Sequence, residues 1–440
     1  LERTQREVEQ KRTGSVTERW RFLVHEFKST MDRNFVNGYL GIDESYKMPE
    51  RMMELLLNAE EREKMFDAFS AENPDMTGDL WHEYFQDEQG DRNALKQDFT
   101  PMEICQLVAE ITPEAESYAD VCAGTGGLTI ALHNRFPDAY YHLEEISERT
   151  IPILLFNLAI RNINAEVING DSLEQTAKHY YRVVPGRKYG LIDEVDGLEP
   201  RSFGAVVSNP PYSLQWNPEG HGADERFTGY ELAPKSKEDY AFILHGMSLT
   251  SGTATYILPH GVLFRGQKEG RIREKLCRDS RIRSIIGLPN NMFRNTGIPV
   301  CIVQICTRAQ DTLIIDAADE CAKDGKYNVM KAAHLNAVLG AYRIRKSIDK
   351  LSKLVTLPEI EKNDYNLNIP RYVDKFEPEP IPDIIAVMAE LKELNKEIYE
   401  SEKSLQQMIG QLVAVPERKE ELEAIKKVVT ENGQLAFKFQ

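Results

Sequence analysis

One stretch of the sequence ends a strand-like run, Gly204 to Ser208, directly on Asn209-Pro210-Pro211-Tyr212. Two consecutive prolines cannot extend a central strand, because neither donates a backbone hydrogen bond. The structural interpretation is a turn that follows a strand. The chemical interpretation is a rigid loop that presents the Asn209 amide, the Pro210 carbonyl and the Tyr212 ring to a flat substrate. The motif alone leaves both open.

A second loop is rich in glycine and lies between an apolar run and an apolar helical segment. Its residues are Asp120, Val121, Cys122, Ala123, Gly124, Thr125, Gly126 and Gly127. Glycines there let a ligand approach the backbone and let the N-terminus of the helix point at it. The third position of a dinucleotide fingerprint is Thr129 instead of glycine, so the loop suits a nucleoside better than a pyrophosphate. A tight strand-to-helix turn is the structural alternative.

Two acids follow the next strand-like runs. Glu145 lies 19 residues after Gly126, close to the spacing at which an acid binds a ribose diol. An acid there also suits a ligand that carries positive charge. Asp171 follows the third run and could accept a hydrogen bond from an adenine amino group, or cap a helix instead. The surrounding GDSL letters also match a hydrolase signature, but the DxxH that a hydrolase needs occurs only upstream, at residues 79–82.

A helix start is predicted at Asp98-Phe-Thr-Pro-Met-Glu103. Thr100 would be the N-cap, Pro101 the first helical residue and Glu103 the partner in a capping box. The position of this segment just before the first strand also suggests a role near the site.

A local positive stripe lies between residues 265 and 283, where eight Lys or Arg residues stand against three acids. It includes Arg265, Lys268 and Arg271 and suits phosphates, although an exposed helix face is an equal alternative. Phe293, in a loop between two strand-like runs, could stack on a base or fill a small core.

The composition limits the classes of protein that could use these residues. Of the 440 residues, 41% are hydrophobic and 28% charged, as in a soluble globular protein. The net charge of −16 argues against a protein that binds nucleic acid over its whole surface, but it allows a local basic groove or a partner that makes most of the contacts.

No apolar run is long enough to span a membrane. The N-terminus shows no signal core. Cysteines without a paired framework indicate reduced thiols in a cytoplasm, and the histidine spacing suggests no metal site.

The chain divides into four predicted regions. Residues 1–95 carry helical periodicity, residues 96–325 alternate helices with strands, residues 326–375 are mixed, and residues 376–440 form a helical segment. Seven apolar runs predict the strands of a largely parallel α/β sheet: YADVC, YYHLEE, AEVIN, AVVSN, TATYILP, IRSIIGL and VCIVQIC. Ligands of such sheets bind beyond the carboxyl ends of the strands, where all the loops above begin.

A heptad pattern marks the last region. Ile384, Leu391, Ile398, Leu405 and Leu412 recur every seven residues, with Val387, Leu394, Ser401 and Met408 at the second seam position. The pattern predicts a coiled-coil helix that binds a partner. A helix that packs on its own domain is the alternative.

Taken together, these segments resemble the modification subunit of type I restriction–modification systems, an S-adenosylmethionine-dependent adenine-N6 DNA methyltransferase. The resemblance rests on FTP at 99–101, the glycine-rich loop, EEIS at 144–147, NGDSL at 169–173 and NPPY at 209–212. Later segments follow in the family's order: EDYAFILHGMSL, LPHGVLFRG and NMFRNTGIPVCIV. It covers about residues 96–320.

The resemblance implies a seven-stranded doubly wound methyltransferase sheet, with an N-terminal helical domain and a C-terminal coiled-coil helix. It implies that S-adenosylmethionine is bound by Phe99, Thr100, Pro101, Asp120, Ala123, Gly124, Thr125, Gly126, Gly127, Glu145, Ile146, Asp171, Ser172 and Asn209. The implied catalytic residues are Asn209, Pro210, Pro211 and Tyr212. Phe293, Arg265, Lys268 and Arg271 would contact the target base or the DNA.

The implied chemistry explains why a strand ends on NPPY. Asn209 Oδ1 and the Pro210 carbonyl would accept the two hydrogens of an amino group, and Tyr212 would stack on the base. The implied partners are DNA, a specificity subunit, a restriction subunit and a second modification subunit. Two rivals remain: a methyltransferase that uses the same loop on a protein glutamine or on ribosomal RNA, and a non-catalytic scaffold.

Overall fold

All seven apolar runs become strands of one sheet in the computed structural model, which describes residues 31–81, 84, 100–294, 296–376 and 383–431. In chain order the described strands are β1 (Ser117–Asp120), β2 (Tyr140–Glu145), β3 (Ala165–Asp171), β4 (Thr176–Val184), β5 (Leu191–Val195), β6 (Phe203–Ser208), β7 (Thr250–Pro259), β8 (Ile282–Gly287), β9 (Val300–Cys306), β10 (Thr312–Asp316), β11 (Ala322–Asp324), β12 (Tyr327–Val329) and β13 (Ser352–Val355).

The main sheet has eleven strands in the order β13-β10-β8-β9-β7-β6-β1-β2-β3-β4-β5. The seven predicted strands are its contiguous centre, from β8 to β3. Strands β7, β6, β1, β2 and β3 are parallel, and β9 is inserted antiparallel between β7 and β8. The predicted α/β class is confirmed, while the predicted number of strands was too small.

The missed strands lie at the edges of the sheet. β4 and β5 continue beyond β3 as an antiparallel pair, and β10 and β13 continue beyond β8. Residues along β4 and β5 are mostly exposed or half-buried. Because β4 and β5 bury only part of one face, they do not show the continuous apolar runs that revealed the central strands. β10 is buried between β13 and β8, and its short apolar run was not among the seven that were identified.

Twelve described helices surround or follow the sheet. They are α1 (Arg33–Leu40), α2 (Met48–Leu57), α3 (Ala59–Glu72), α4 (Met102–Ile111), α5 (Gly127–Arg135), α6 (Ile151–Ile160), α7 (Asp239–Ser248), α8 (Gln267–Arg278), α9 (Ala332–Ile344), α10 (Leu357–Lys362), α11 (Ile384–Gln411) and α12 (Lys419–Glu431).

The helices before the sheet pack directly against it through α6. Every residue of α6 is buried, because α2 covers it. The ring of Phe156 on α6 makes edge-on contacts with Phe66, Phe69 and Trp81, with centroids 5.2–5.3 Å apart. Aromatic pairs of this geometry add about 0.5–1.5 kcal/mol each to the burial of their surface. The helical region and the sheet therefore share one core.

The chain separates into two compact units, with the first ending at Lys375 and the second starting at Phe376. The finer division of the first unit into residues 1–95, 96–325 and 326–375 stays a prediction. No helix in the described part of the chain is both long and apolar enough to cross a membrane.

The second unit contains the heptad region. α11 begins at the N-cap Asp383, whose side chain accepts hydrogen bonds from two backbone N–H groups, and it ends one residue before Leu412. α12 contacts α11. Ile384, Leu391 and Ile398 of the predicted seam are between 55% and 68% exposed. Among the described residues of this unit, the seam is therefore an exposed apolar face at these three positions.

Candidate active site

A cavity of about 360 Å³ lies at the carboxyl ends of β1, β2, β3 and β6. Its size is typical of a small-molecule site. The predicted site residues that line it are Thr100, Ala123, Gly124, Thr125, Gly127, Glu145, Ile146, Asp171, Ser172, Asn209, Pro210, Pro211 and Tyr212. Parallel strands bring these loops to one edge of the sheet, as the sequence predicted.

The glycine-rich loop turns tightly from β1 into α5. Gly126, the N-cap of α5, has a φ of +93°, and a Cβ built there would lie 2.9 Å from Leu154 Cδ1. Both the backbone conformation and the contact exclude a larger residue. Gly126 therefore determines the conformation of the loop but does not line the cavity.

Glu145, at the end of β2, holds the glycine-rich loop by a hydrogen bond. Its Oε2 accepts a hydrogen bond from the Gly124 N–H at 2.8 Å, and its Oε1 accepts one from the Ser147 N–H at 2.8 Å. The side chain is only 5% exposed. The carboxylate thus holds two cavity loops together, in addition to offering an acid to a ligand.

Asp79 is a site residue that the sequence analysis missed. It comes from the segment after α3 and lines the cavity. Its Oδ2 accepts a hydrogen bond from the Thr125 hydroxyl, and its Oδ1 accepts one from Asn157 Nδ2 at 2.9 Å. Because Asp79 and Thr125 are 46 residues apart, no local pattern in the sequence could have connected them.

The Asn209 amide is oriented from two sides. Its Nδ2 donates a hydrogen bond to Thr100 Oγ1 at 2.9 Å, and its Oδ1 accepts one from the Tyr212 hydroxyl at 2.8 Å. The two bonds together hold the amide group in the cavity wall. Thr100 therefore acts on the NPPY loop.

Thr100 does not cap a helix, which corrects the predicted helix start. The N-cap of α4 is Pro101, the first helical residue is Met102, and the N-cap side chain makes no hydrogen bond. The predicted capping box with Glu103 is therefore wrong. Pro101 is buried and lies outside the cavity wall. Phe99 lies outside the described residues.

The loop after β3 is held by hydrogen bonds to the backbone. Asp171 Oδ1 accepts from the N–H groups of Leu173 and Glu174, so it caps a turn and not a helix. Ser172 donates its hydroxyl to the Val121 carbonyl at 3.0 Å. Arg226 donates to the Ser172 and Leu173 carbonyls, at 2.9 and 2.6 Å. The wall that contains Asp171 is therefore well supported.

Asp120 lies below the cavity and does not line it. The side chain is 2% exposed, and its Oδ1 accepts a long hydrogen bond of 3.3 Å from the Cys122 N–H. Burial raises the pKa of Asp120 to about 8. A direct contact between Asp120 and a cofactor stays a prediction.

Phe293 has one of its two considered roles settled by its burial. Its ring is buried, with 3% exposure, so it fills a small core. It also meets the ring of Tyr212 edge-on, with centroids 6.1 Å apart. It thus supports the side of the site where Tyr212 lies, and base stacking by Phe293 stays a prediction.

Arg265 faces inward and pairs with acids. Its guanidinium donates to Asp239 at 2.8 Å, to Glu269 at 3.1 Å and to the Ser213 hydroxyl at 2.9 Å. Ser213 follows Tyr212 directly, so Arg265 fastens the end of the NPPY loop to α7 and α8. A contact of Arg265 with DNA stays a prediction.

Other basic residues of the positive stripe also have partners within the chain. Arg271 is exposed but pairs with Glu231 at 2.6 Å, and Arg273 is buried against backbone carbonyls. Lys268 is half-buried. The stripe is therefore not one continuous exposed surface, because several of its charges already have partners within the chain.

The sequence analysis also missed part of the apolar wall. Leu173, Leu214, Trp216 and Phe242 line the cavity, and the predicted Ile146 is 42% exposed there. Apolar side chains at the mouth of a cavity fit the flat faces of a nucleoside base. Together with the Glu145 and Asp171 carboxylates, this wall suits a nucleoside with a positive charge nearby.

Comparison with known proteins agrees with this geometry. The family described as N-6 DNA Methylase matches residues 42–380. The chain belongs to the N-6 DNA methylase family. The match extends from the helices before the sheet to beyond Lys375, so it includes every described residue of the cavity wall.

Relatives of this chain include type I methylase subunits. It is 27% identical to the type I restriction enzyme MpnII methylase subunit of Mycoplasma pneumoniae over 351 residues, which are 74% of this chain and 61% of the relative. It is 28% identical to the MjaVIII methylase subunit of Methanocaldococcus jannaschii over 360 residues, which are 76% and 59%. The chain thus spans about three fifths of the length of these curated relatives.

A solved structure is similar in both sequence and fold. The type I restriction-modification methyltransferase subunit of Streptococcus thermophilus shares 34% identity, with a TM-score of 0.56. The similarity covers 63% of this chain and 59% of that chain. The methyltransferase fold predicted from the sequence is confirmed.

Proposed function

We propose that this N-6 DNA methylase transfers a methyl group from S-adenosylmethionine to N6 of adenine in DNA, as the modification subunit of a type I restriction–modification system. The observation that carries the proposal is the orientation of Asn209. Its amide is held by Thr100 in the wall of the same cavity that contains Glu145 and the glycine-rich loop. The acceptor and donor sites therefore open into one space.

S-adenosylmethionine supplies a methyl group that its sulfonium makes electrophilic. Glu145 is placed to hold the ribose and Asp171 the adenine amino group, while Gly124 and its neighbours allow close approach. The exposed side chain of Ile146 offers an apolar surface to the adenine ring. An acidic wall also favours a cationic ligand by charge.

The NPPY loop acts on the amino group that receives the methyl. An exocyclic amino nitrogen is a poor nucleophile, because its lone pair is delocalised into the ring. Asn209 Oδ1 and the Pro210 carbonyl accept hydrogen bonds from its two N–H groups and draw the nitrogen towards tetrahedral geometry. Since Thr100 and the prolines hold both acceptors in place, little reorganisation is needed at reaction.

Tyr212 contributes in two ways to the acceptor side. Its hydroxyl donates to Asn209 Oδ1, and its ring meets Phe293 edge-on. An incoming amino group takes up an acceptor position on the same oxygen, while the ring of Tyr212 stacks on the base. The target base must first leave the duplex, at a cost of a few kcal/mol.

DNA is favoured over a protein glutamine or ribosomal RNA by the extent of the family match. The matched residues include the helices before the sheet as well as the sheet itself. The named relatives are methylase subunits of type I restriction enzymes, and such subunits assemble with others of their system. We accordingly propose a DNA-specificity subunit as the partner of the α11 seam, with a restriction subunit and a second modification subunit in the same complex.

The test is a methylation assay with Asn209→Ala and Tyr212→Phe. The protein, with its specificity subunit, is incubated with radiolabelled S-adenosylmethionine and DNA, RNA or a protein glutamine substrate. Asn209→Ala should lose methyl transfer and keep its affinity for the cofactor, because Asn209 acts on the acceptor. Tyr212→Phe keeps the ring and should retain most of the activity.

Label in RNA or protein but not in DNA would refute the proposed substrate. Full activity of Asn209→Ala would refute the mechanism. Calorimetry with S-adenosylhomocysteine shows in each case whether the variant still binds the cofactor.

A further inference from the structure

Glu238 is a buried acid in the cavity wall to which the proposed mechanism gives no role. It is the residue before α7, and its backbone N–H donates to the Leu214 carbonyl at 3.0 Å. Asp171, Trp216 and Phe242 line the same cavity. The residue is 6% exposed, so what little surface it has belongs to the wall.

The carboxyl group of Glu238 is incompletely paired. Within the described residues, its buried Oε1 has no hydrogen-bond partner. A buried polar atom without a partner costs about 1–3 kcal/mol. Such an atom in a ligand cavity is explained most simply by a hydrogen bond that the ligand completes.

The groups around Glu238 favour its neutral form. Burial, followed by the charges of Asp239 and Asp171, raises the pKa of Glu238 to about 8. Asp239 is itself paired with Arg265, and Cys122 lines the same cavity. At pH 7 the carboxyl group is therefore mostly protonated, with one O–H donor and one carbonyl acceptor.

We propose that Glu238, as a neutral acid, recognises the adenine ring of the methyl donor by hydrogen bonds to its amino group and an adjacent ring nitrogen. This inference rests on the proposed function. Adenine presents an amino donor beside a ring-nitrogen acceptor. A neutral carboxyl group matches both, whereas an ionised carboxylate can only accept. A 6-oxo purine presents an acceptor in place of the amino donor; the neutral acid of Glu238 can exchange its donor and acceptor oxygens to suit it, but the accepting oxygens of Asp171 cannot.

The position of Glu238 assigns it to the donor and not to the target adenine. Phe242, one turn after Glu238 in α7, belongs to the same buried cluster as Leu173 of the Asp171 loop. The target side of the site is marked by Tyr212 and Phe293. Asp171 and Glu238 would thus bind the same adenine.

The test compares Glu238→Gln and Glu238→Leu with the wild-type protein by calorimetry at pH 7 and pH 9. The ligands are S-adenosylhomocysteine and its 6-oxo analogue, S-inosylhomocysteine. At pH 7, Glu238→Leu should bind S-adenosylhomocysteine about tenfold more weakly, as expected for one lost hydrogen bond. Glu238→Gln keeps a donor and an acceptor and should bind within about threefold of wild type. The wild type should reject the 6-oxo analogue by at least about tenfold.

The pH dependence separates recognition from a structural role. Glu238 must be protonated to donate a hydrogen bond. The affinity of the wild type for S-adenosylhomocysteine should therefore stay constant below pH 8 and fall above it, by up to about tenfold at pH 9. Glu238→Gln cannot ionise and should lose this fall. Glu148→Gln is the control, since Glu148 is an exposed acid outside the cavity wall. It should keep the wild-type pH dependence.

Failure of the inference differs from failure of the proposed function. If the wild type does not bind S-adenosylhomocysteine, the proposed function fails. If it binds and Glu238→Leu binds equally well, or if Glu238→Gln keeps the fall above pH 8, the inference is overturned. It is also overturned if Glu238→Leu changes only the KM for DNA, which would assign Glu238 to the target adenine. Should Glu238→Leu fail to fold, the pH comparison of Glu238→Gln still decides.

Discussion

Replacement of Glu145 should weaken the protein before any ligand is added. Both carboxylate oxygens accept backbone N–H groups, from Gly124 and from Ser147, at 2.8 Å each. An acid that served the ribose alone could be removed without loss of stability. Glu145→Ala instead leaves the two N–H groups without these acceptors, in a place where the side chain is buried.

The size of the effect follows from these two bonds. A buried donor without a partner costs about 1–3 kcal/mol, so Glu145→Ala should lower the free energy of unfolding by about 2–6 kcal/mol. Glu145→Gln keeps one acceptor oxygen but turns an NH₂ group towards the other N–H, so about half of that loss is expected. Against a typical domain stability of about 5–15 kcal/mol, the alanine loss is large.

The assay is urea unfolding of the ligand-free variants, followed by calorimetry with S-adenosylhomocysteine. We expect a further loss of about 1.5–3 kcal/mol in binding for Glu145→Ala, the size of a hydrogen bond to a charged group. Glu148→Ala is the control, because Glu148 is an exposed acid paired with Lys178 on the surface. It should change stability by less than about 1 kcal/mol. Unfolding of Glu145→Ala at the wild-type urea concentration would refute the structural role, and an unchanged dissociation constant would refute the ribose role.

Two more predictions concern residues outside the central loops. Asp79→Asn keeps only one acceptor oxygen for the Thr125 hydroxyl and its other donors, so stability should fall by about 1–3 kcal/mol and S-adenosylhomocysteine should bind more weakly. Urea unfolding and calorimetry measure both effects, with exposed Asp138→Asn as the control, and wild-type values in both assays would contradict this role for Asp79. Replacing Leu391 and Ile398 together by Asp should abolish co-purification with the specificity subunit and leave cofactor binding intact, because carboxylates in an apolar interface are costly. An intact complex with this double variant would rule out the seam as the docking surface.

The central part of the fold was predictable because each of its signals is local. A strand buried on both faces is mostly apolar, and a loop that bends sharply into a helix needs glycine. These requirements are visible in a few consecutive residues, such as Gly124 to Gly127. Since parallel strands end at one edge, the loops that follow them had to meet there.

The support of the site was not predictable in this way. Thr100 looked like a helix cap because Thr-Pro is a common start of a helix, but its hydroxyl is used by Asn209, 109 residues later. Arg265 looked like a phosphate contact because it lies in a basic stretch, but folding places it beside Asp239 and Glu269. In both cases the partner is chosen by tertiary structure, which no short window of sequence contains.

Two residues that precede the first strand support the cavity by hydrogen bonds. Asp79 reaches the glycine-rich loop at Thr125, and Thr100 reaches the NPPY loop at Asn209. Neither residue lies on the sheet or in a loop between its strands, yet each holds one half of the cavity: the nucleoside side and the acceptor side. The strands bring the two loops together, and the preceding region determines how their side chains are oriented. In the proposed function, residues that come before the first strand would thus align methyl donor and acceptor, which would make that region part of the active site.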